Sequence, residues 1–222
     1  MLDVKVIAFD IDGTLYPQSR FYRKIFFHFW KNVVLFYHFG RVRGILRRSA
    51  QLPDLRRYQA ILLSERMKCS TSEAEKKLNE VVYDYFPKHF ANVKPFKYIE
   101  ECFKELKNAG YRIAILSDFP PEQKGNLWGL LPYCDGVYSA EKIGALKPSK
   151  YTYGILAKEL GVQEKDILYV GNNIKYDIIG AKKAGLKAAY LMPFWRKIFN
   201  IRLKDADISF KNYRQFTKLV LK

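Results

Sequence analysis

Val4-Lys5-Val6-Ile7-Ala8-Phe9-Asp10-Ile11-Asp12-Gly13-Thr14-Leu15-Tyr16 decides how the rest of the chain is read. Val4–Phe9 has the apolar run of a strand covered on both faces. Two carboxylates follow at once, on either side of Ile11, and then a glycine. Acids at the carboxyl end of a strand lie where α/β folds put ligands. Gly13 lets the chain turn sharply and lets backbone approach a ligand. An ordinary turn closing a strand also uses Asp and Gly, but it does not call for paired acids before Gly-Thr-Leu.

Arg112–Leu116, Ile167–Val170 and Lys187–Leu191 are short apolar runs of the same kind. Helical spacing separates them: Lys97–Ala109, Ser149–Leu160 and Ile174–Ala184 each run to a glycine, the expected stop signal. Strands alternating with helices imply an α/β fold with a doubly wound, mainly parallel, Rossmann-like sheet. The tail is strand-like at Ala206–Ser209 and helical at Tyr213–Leu221. Between Pro17 and Val93 no strand is evident. Helices are predicted over Arg20–Phe39, Leu55–Met67 and Ser72–Phe86, the last opened by Ser70-Thr71-Ser72-Glu73, a capping pattern. Residues 1–16 and 94–222 therefore read as an α/β core domain and 17–93 as an inserted α-helical domain.

The 222 residues carry 39 Lys and Arg against 22 Asp and Glu, a net charge of +17. Such a field attracts phosphates, nucleic acid or anionic lipid, but no specific nucleic-acid motif is present. Cys69, Cys102 and Cys134 form no CxxC pair and read as reduced thiols. The buried strand at Val4–Phe9 leaves no room for a signal peptide, and Ile25–Phe39 is too short and too polar to span a bilayer. The expected location is cytoplasmic. His28, His38 and His89 sit in no metal-ligand pattern and read as surface or packing residues. Phe21–Lys31 is dense in aromatics and cations, with Arg41, Arg43, Arg47, Arg48, Arg56 and Arg57 beyond it. A helix with an aromatic packing face and solvated charges is the favoured reading; substrate recognition and membrane-surface contact are the alternatives. Phe194–Phe199 is similarly aromatic and basic and suits a surface loop, a partner contact or a membrane-touching segment.

The heptad Asp10–Tyr16 resembles the first motif of the haloacid dehalogenase-like (HAD) superfamily. Ile113–Ser117 followed by Asp118 resembles its second motif, Lys147-Pro148 its third, and Leu168–Asp177 its fourth. The insertion sits where phosphoglycolate phosphatase-like members carry a helical cap. The resemblance implies a phosphohydrolase that cleaves a phosphomonoester through an aspartyl-phosphate on Asp10, with Asp12 as general acid and base. Ser117, Asp118 and Lys147 would meet the phosphoryl group. Mg2+ would be held by Asp10, the backbone carbonyl of Asp12, Asn172 and Asp177. The substrate would be a small phosphorylated metabolite. The fourth motif departs from the common pattern: Asn172 stands where many members have a ligating Asp, and an amide brings no charge to a cation.

Two alternatives remain from the residues. A 2-haloacid dehalogenase would also use Asp10 as nucleophile, but halide departure needs no proton donor, and Asp12 supplies one. A non-catalytic binding protein on this fold would not need Asp10, Asp12, Ser117 and Lys147 together. Oligomeric state is open.

Overall fold

The computed structural model describes residues 3–90 and 92–222; residues 1 and 2 of the expected core and residue 91 of the expected insertion lie outside the described residues. After β1 (Val6–Phe9) come six helices: α1 (Gln18–Lys24), α2 (Phe26–Lys31), α3 (Val33–Leu46), α4 (Leu55–Met67), α5 (Thr71–Leu78) and α6 (Tyr85–Phe90). The chain continues through α7 (Ile99–Asn108), β2 (Arg112–Ser117), β3 (Gly136–Ser139), α8 (Ala140–Ile143), α9 (Lys150–Glu159) and β4 (Ile167–Gly171). It ends with α10 (Gly180–Lys183), β5 (Lys187–Leu191), α11 (Phe194–Ile198), β6 (Ile208–Phe210) and α12 (Tyr213–Val220).

The strands form one sheet in the order β3-β2-β1-β4-β5-β6, with every neighbouring pair parallel. This is the doubly wound architecture the alternating pattern predicts. The period of two divides each strand between two layers. Val6 and Ala8 pack with Ala114, Leu116 and Tyr169 under α9 and α10, while Ile7 and Phe9 pack with Ile115 and Val170 under α7 and α12. Phe9 is held by Phe103 of α7 and Phe216 of α12, with ring centroids 4.7 and 6.0 Å away. Strand order reverses about β1, so the crevice at its carboxyl end is where such sheets bind ligands.

The described residues of the insertion hold helices joined by turns and no strand, but its first part differs from expectation. One helix over 20–39 is predicted, and three short ones form instead. The chain leaves helical geometry at Ile25 (φ −98°, ψ 9°) and at Asn32 (φ −120°, ψ 24°). Aromatic and β-branched residues crowd this stretch and lose rotamer freedom in a helix. The Asn32 amide also donates to the His28 carbonyl at 3.0 Å. Leu55–Met67 is helical as predicted, capped by Asp54, which accepts from the Arg57 N–H at 2.9 Å. Ser70 and Glu73 form a reciprocal capping box, and the helix they open widens into a π-turn at Asn79–Tyr83 before α6. His28 and His89 stack on Tyr85, at 3.4 and 4.0 Å between ring centroids, as packing residues.

Elsewhere the differences are small. β6 begins two residues later than expected, and Phe194–Phe199 holds a short exposed helix rather than a loop. β3 forms where no strand is expected. Among the described residues no helix is long and apolar enough to cross a membrane.

Gly40 and Gly44 lie one turn apart inside α3, and a Cβ at either would meet nothing within 4 Å. Gly40→Ala is therefore expected to raise stability by about 0.5–1 kcal/mol, because alanine loses less backbone entropy in a helix. A higher urea midpoint at unchanged slope would verify it.

Candidate active site

Asp10 extends β1: its N–H donates to the Val170 carbonyl of β4 at 2.9 Å. The chain then turns, with the Leu15 N–H returning to the Ile11 carbonyl at 2.9 Å. Gly13 makes this turn at φ +88°, and a Cβ there would stand 2.6 Å from Asn172 Nδ2. Glycine thus serves both the left-handed backbone and the close approach of the turn after β1 to the turn after β4. The Thr14 hydroxyl lies between them, 2.9 Å from Asp10 Oδ2 and 3.0 Å from Asn172 Oδ1. One hydroxyl hydrogen serves only one of these oxygens at a time.

Lys147 is buried beside Asp10. Its ammonium donates to Asp10 Oδ1 at 2.8 Å, to Asp177 Oδ1 at 2.7 Å and to the Tyr169 hydroxyl at 2.9 Å, so all three of its hydrogens are used. Tyr169 passes its own hydrogen to the Leu116 carbonyl at 2.8 Å, and Asp177 Oδ2 accepts from the Asn173 N–H at 2.9 Å. Burial pushes the Asp10 carboxyl up to about 7; Lys147 opposes the rise, and Asp177 and Asp12 add to it. Burial alone would pull the Lys147 ammonium down, but Asp10 and Asp177 outweigh it and hold the group well above the ordinary lysine value.

Asp12 points to different partners. Its Oδ1 accepts from the Tyr16 hydroxyl at 2.6 Å and meets Lys124 Nζ at 2.9 Å. Burial, with Asp12 as the next cause, pushes the Tyr16 hydroxyl far above the ordinary tyrosine value, so it stays a donor. Lys124 comes from the short turn at Pro121–Lys124, and its ammonium sits 4.2 Å from the centre of the Phe90 ring.

Asp118 ties α3 to the loop that carries Lys147. Its Oδ1 accepts from the Lys147 N–H at 3.1 Å and its Oδ2 pairs with Arg47 at 2.6 Å. Burial raises the Asp118 carboxyl, but Arg47, Lys147 and Arg43 outweigh that and hold it below the ordinary value. Arg43, also on α3, is buried against Glu141. Ser117 ends β2 as expected but is fully buried, and its hydroxyl has no hydrogen-bond partner among the described residues. It does not line the cavity into which Asp10, Asp12, Asp118, Lys147, Asn172 and Asp177 all face. That cavity measures about 840 Å³ and is lined beyond these residues by side chains of α1, α2, α3 and α6.

Sequence reasoning thus finds a set that the fold brings together, with Ser117 at its edge. Thr14, Tyr169 and Lys124 carry no expected role, and Arg47 is expected only as a solvated or substrate-facing charge, yet each holds an expected residue. Thr14 lies in the quoted heptad, and its place after Gly13 was a usable signal. Nothing in the Pro121–Lys124 turn marks Lys124 as a partner of Asp12.

No group of three or more His, Cys, Asp or Glu side chains among the described residues is arranged to hold a metal. The donors that do converge are oxygens: Asp10 Oδ2 and Asn172 Oδ1 share a single hydrogen, which leaves lone pairs free. Oxygen donors of this kind suit a hard cation.

A family model described as haloacid dehalogenase-like hydrolase matches residues 4–185. The chain belongs to that family. Among curated relatives of this hydrolase, a glyceraldehyde 3-phosphate phosphatase of Methanopyrus kandleri is 25% identical over 198 residues, covering 82% of each chain. Among solved structures, a predicted phosphoglycolate phosphatase from Haemophilus somnus superposes with a TM-score of 0.67 at 19% identity, covering 99% of both chains. A 2-haloacid dehalogenase from Pseudomonas syringae superposes with a TM-score of 0.65 at 18% identity, covering 98% of both. At such identities the structural matches speak for the fold alone, and the choice of reaction rests on the site.

Proposed function

We propose that this hydrolase cleaves a phosphomonoester through an aspartyl-phosphate on Asp10, with Asp12 as general acid and base. The observation that carries the reading is that two carboxylates with different partners face one cavity. Asp10 is held by a lysine whose positive charge lies on the same cavity. Asp12 stands on the same side with its own donors. An Asp10 oxygen attacks phosphorus, the ester P–O bond breaks, and the leaving oxygen takes a proton from Asp12. Water then attacks the same phosphorus, Asp12 takes its proton, and the bond to Asp10 breaks. Lys147 keeps Asp10 oriented and offsets charge. The Ser117 hydroxyl lacks another partner but lies behind the cavity lining, so its donation to a phosphoryl oxygen requires the end of β2 to shift when substrate binds. The Asp118 carboxylate is taken up by Arg47 and the Lys147 loop, so a phosphoryl contact from this residue falls to its backbone.

The oxygen donors fit Mg2+ in type. Asp10, the Asp12 carbonyl and Asn172 would hold it, with Asp177 beside them on Lys147. Bound there, it supplies positive charge against Asp10 and the phosphoryl oxygens. Asn172 brings no charge, so affinity is expected to be weaker than with a carboxylate at that position.

Residues 17–93 act in this reading as a cap domain over the core of 1–16 and 94–222. The loop just after Tyr16 and the junction at Val93–Pro95 are the hinge, and Arg47 and Asp118 the latch. The substrate is a small phosphorylated metabolite, and three free cysteines suit the cytoplasm.

The test is leaving-group dependence. With magnesium, Asp12→Asn is expected to lower kcat/KM for an alkyl phosphate by about 10²–10⁴-fold. The loss should be much smaller for p-nitrophenyl phosphate, whose phenolate leaves without a proton. Equal losses on both esters would remove Asp12 from the acid role. Chloride release from 2-chloropropionate in EDTA, without phosphate release from either ester, would favour the dehalogenase reading.

A further inference from the structure

The cavity is larger than a three-carbon phosphate requires, and its wall beyond the carboxylates is mostly hydrocarbon. Its volume of about 840 Å³ lies within the ~300–1,000 Å³ of sites that enclose drug-sized ligands. Phe21, Phe29, Trp30, Phe36, Phe86 and Phe119 line it. These rings hold one another: Phe21 meets Phe86 at 5.1 Å between centroids, and Phe29 meets Phe36 at 5.2 Å. Phe26 and Trp30 are 51% and 60% exposed and mark the open side. Gly40 and Gly44 also line the cavity, and a Cβ at either meets nothing within 4 Å, so α3 leaves room rather than filling it.

The polar groups on this wall are few and mostly engaged, with Arg43 Nη2 left as a buried donor without a hydrogen-bond partner. The Gln18 amide donates to the Tyr22 hydroxyl at 2.7 Å, Arg43 is paired with Glu141, and Arg47 is paired with Asp118. One such unpaired donor cannot serve a sugar or nucleoside, whose remaining hydroxyls would be buried against the rings without partners, each at a loss of about tenfold to a hundredfold in affinity. An apolar chain meets no such penalty. Aromatic walls gain from every methylene they cover.

We infer that the substrate is the monophosphate ester of an apolar alcohol, an alkyl or prenyl chain, with its phosphate at Asp10 and its hydrocarbon against Phe21, Phe29, Phe36 and Phe86. This rests on the phosphohydrolase reading for its chemistry, but the binding claim can be tested without turnover. Alkylphosphonates have a C–P bond that this site does not cleave, and calorimetry of the full chain with magnesium reads their affinity directly. From ethyl to octyl phosphonate, affinity is expected to rise about fourfold per methylene. Phe29→Asp, on the half-exposed α2 and checked for folding by circular dichroism, should flatten that slope. Parallel phosphate-release assays on ethyl, butyl and octyl phosphate should show kcat/KM rising with chain length.

Equal affinity for ethyl and octyl phosphonate would overturn the inference, even if small esters are hydrolysed and the phosphohydrolase reading stands. Chain-dependent binding with no phosphate release would do the reverse, keeping the apolar site and removing the reaction. Hydrolysis of hexadecyl phosphate embedded in phosphatidylcholine vesicles would support a lipid source of the ester. Hydrolysis confined to dissolved octyl phosphate would support a soluble one.

Discussion

Asp10→Asn is expected to lower phosphate release by about 10⁴–10⁶-fold and, in metal-free buffer, to make the protein more stable at pH 8. The activity loss follows from replacing the attacking carboxylate with an amide that forms no phosphoenzyme. The stability gain follows from the environment of Asp10. Burial raises its carboxyl from 3.8 to about 7. Between those pH values the folded protein holds a proton that the unfolded chain has released, so stability falls as pH rises through the window. Above about pH 7 the ionised form carries its full cost, on the order of 2–4 kcal/mol. Asparagine removes that cost, and Lys147 keeps its ion pair with Asp177. Urea unfolding in EDTA should therefore separate variant from wild type at pH 8, and the gap should close toward pH 4. Retained activity would exclude Asp10 as the nucleophile. A variant less stable than wild type at pH 8 would mean that Lys147 outweighs burial at this site.

The sheet was legible because its central strands are covered on both faces. Val6–Phe9 and Ile167–Gly171 are wholly buried, so their sequences are unbroken apolar runs. Gly136–Ser139 was not legible for the converse reason: it is an edge strand with Val137 40% exposed and a glycine at its start, and only its pairing with β2 makes it a strand. The helical insertion was legible in kind but not in its breaks, since Ile25 and Asn32 interrupt a pattern that has helical spacing throughout. At the site, most motif residues came from sequence because they lie at or just beyond a strand end; Lys147 follows α8 instead. Their partners come from elsewhere in the chain. Lys124 and Arg47 reach Asp12 and Asp118 only after β2 and α3 are placed, and no local spacing encodes that meeting. The cavity belongs to the same class: its aromatics look like a packing face in sequence, and the fold leaves several of them lining open space.

Lys147→Met is expected to be the most destabilising substitution at the site and to remove activity as well. The lysine is buried between Asp10 and Asp177 and gives all three hydrogens to them and to Tyr169. Methionine replaces its bulk but leaves two buried carboxylates facing each other. Removing one partner of a buried ionic cluster costs about 3–5 kcal/mol, because the remaining charge stays desolvated and unpaired. Since the folded ammonium is held well above the ordinary lysine value, its contribution is fully present at neutral pH and is lost only as pH rises through that raised value. At neutral pH the variant should therefore show a urea midpoint lower by about 1–2 M. Acidification should shrink the deficit as the carboxylates take up protons, and the double variant Lys147→Met, Asp177→Asn should recover much of the stability by removing one of the opposed charges. Activity should stay low in both variants, by about 10²–10³-fold or more, since neither offers a cation to the transferring group. Recovery of stability without recovery of activity would separate the two roles of Lys147. Equal recovery of both would mean that it serves the fold alone.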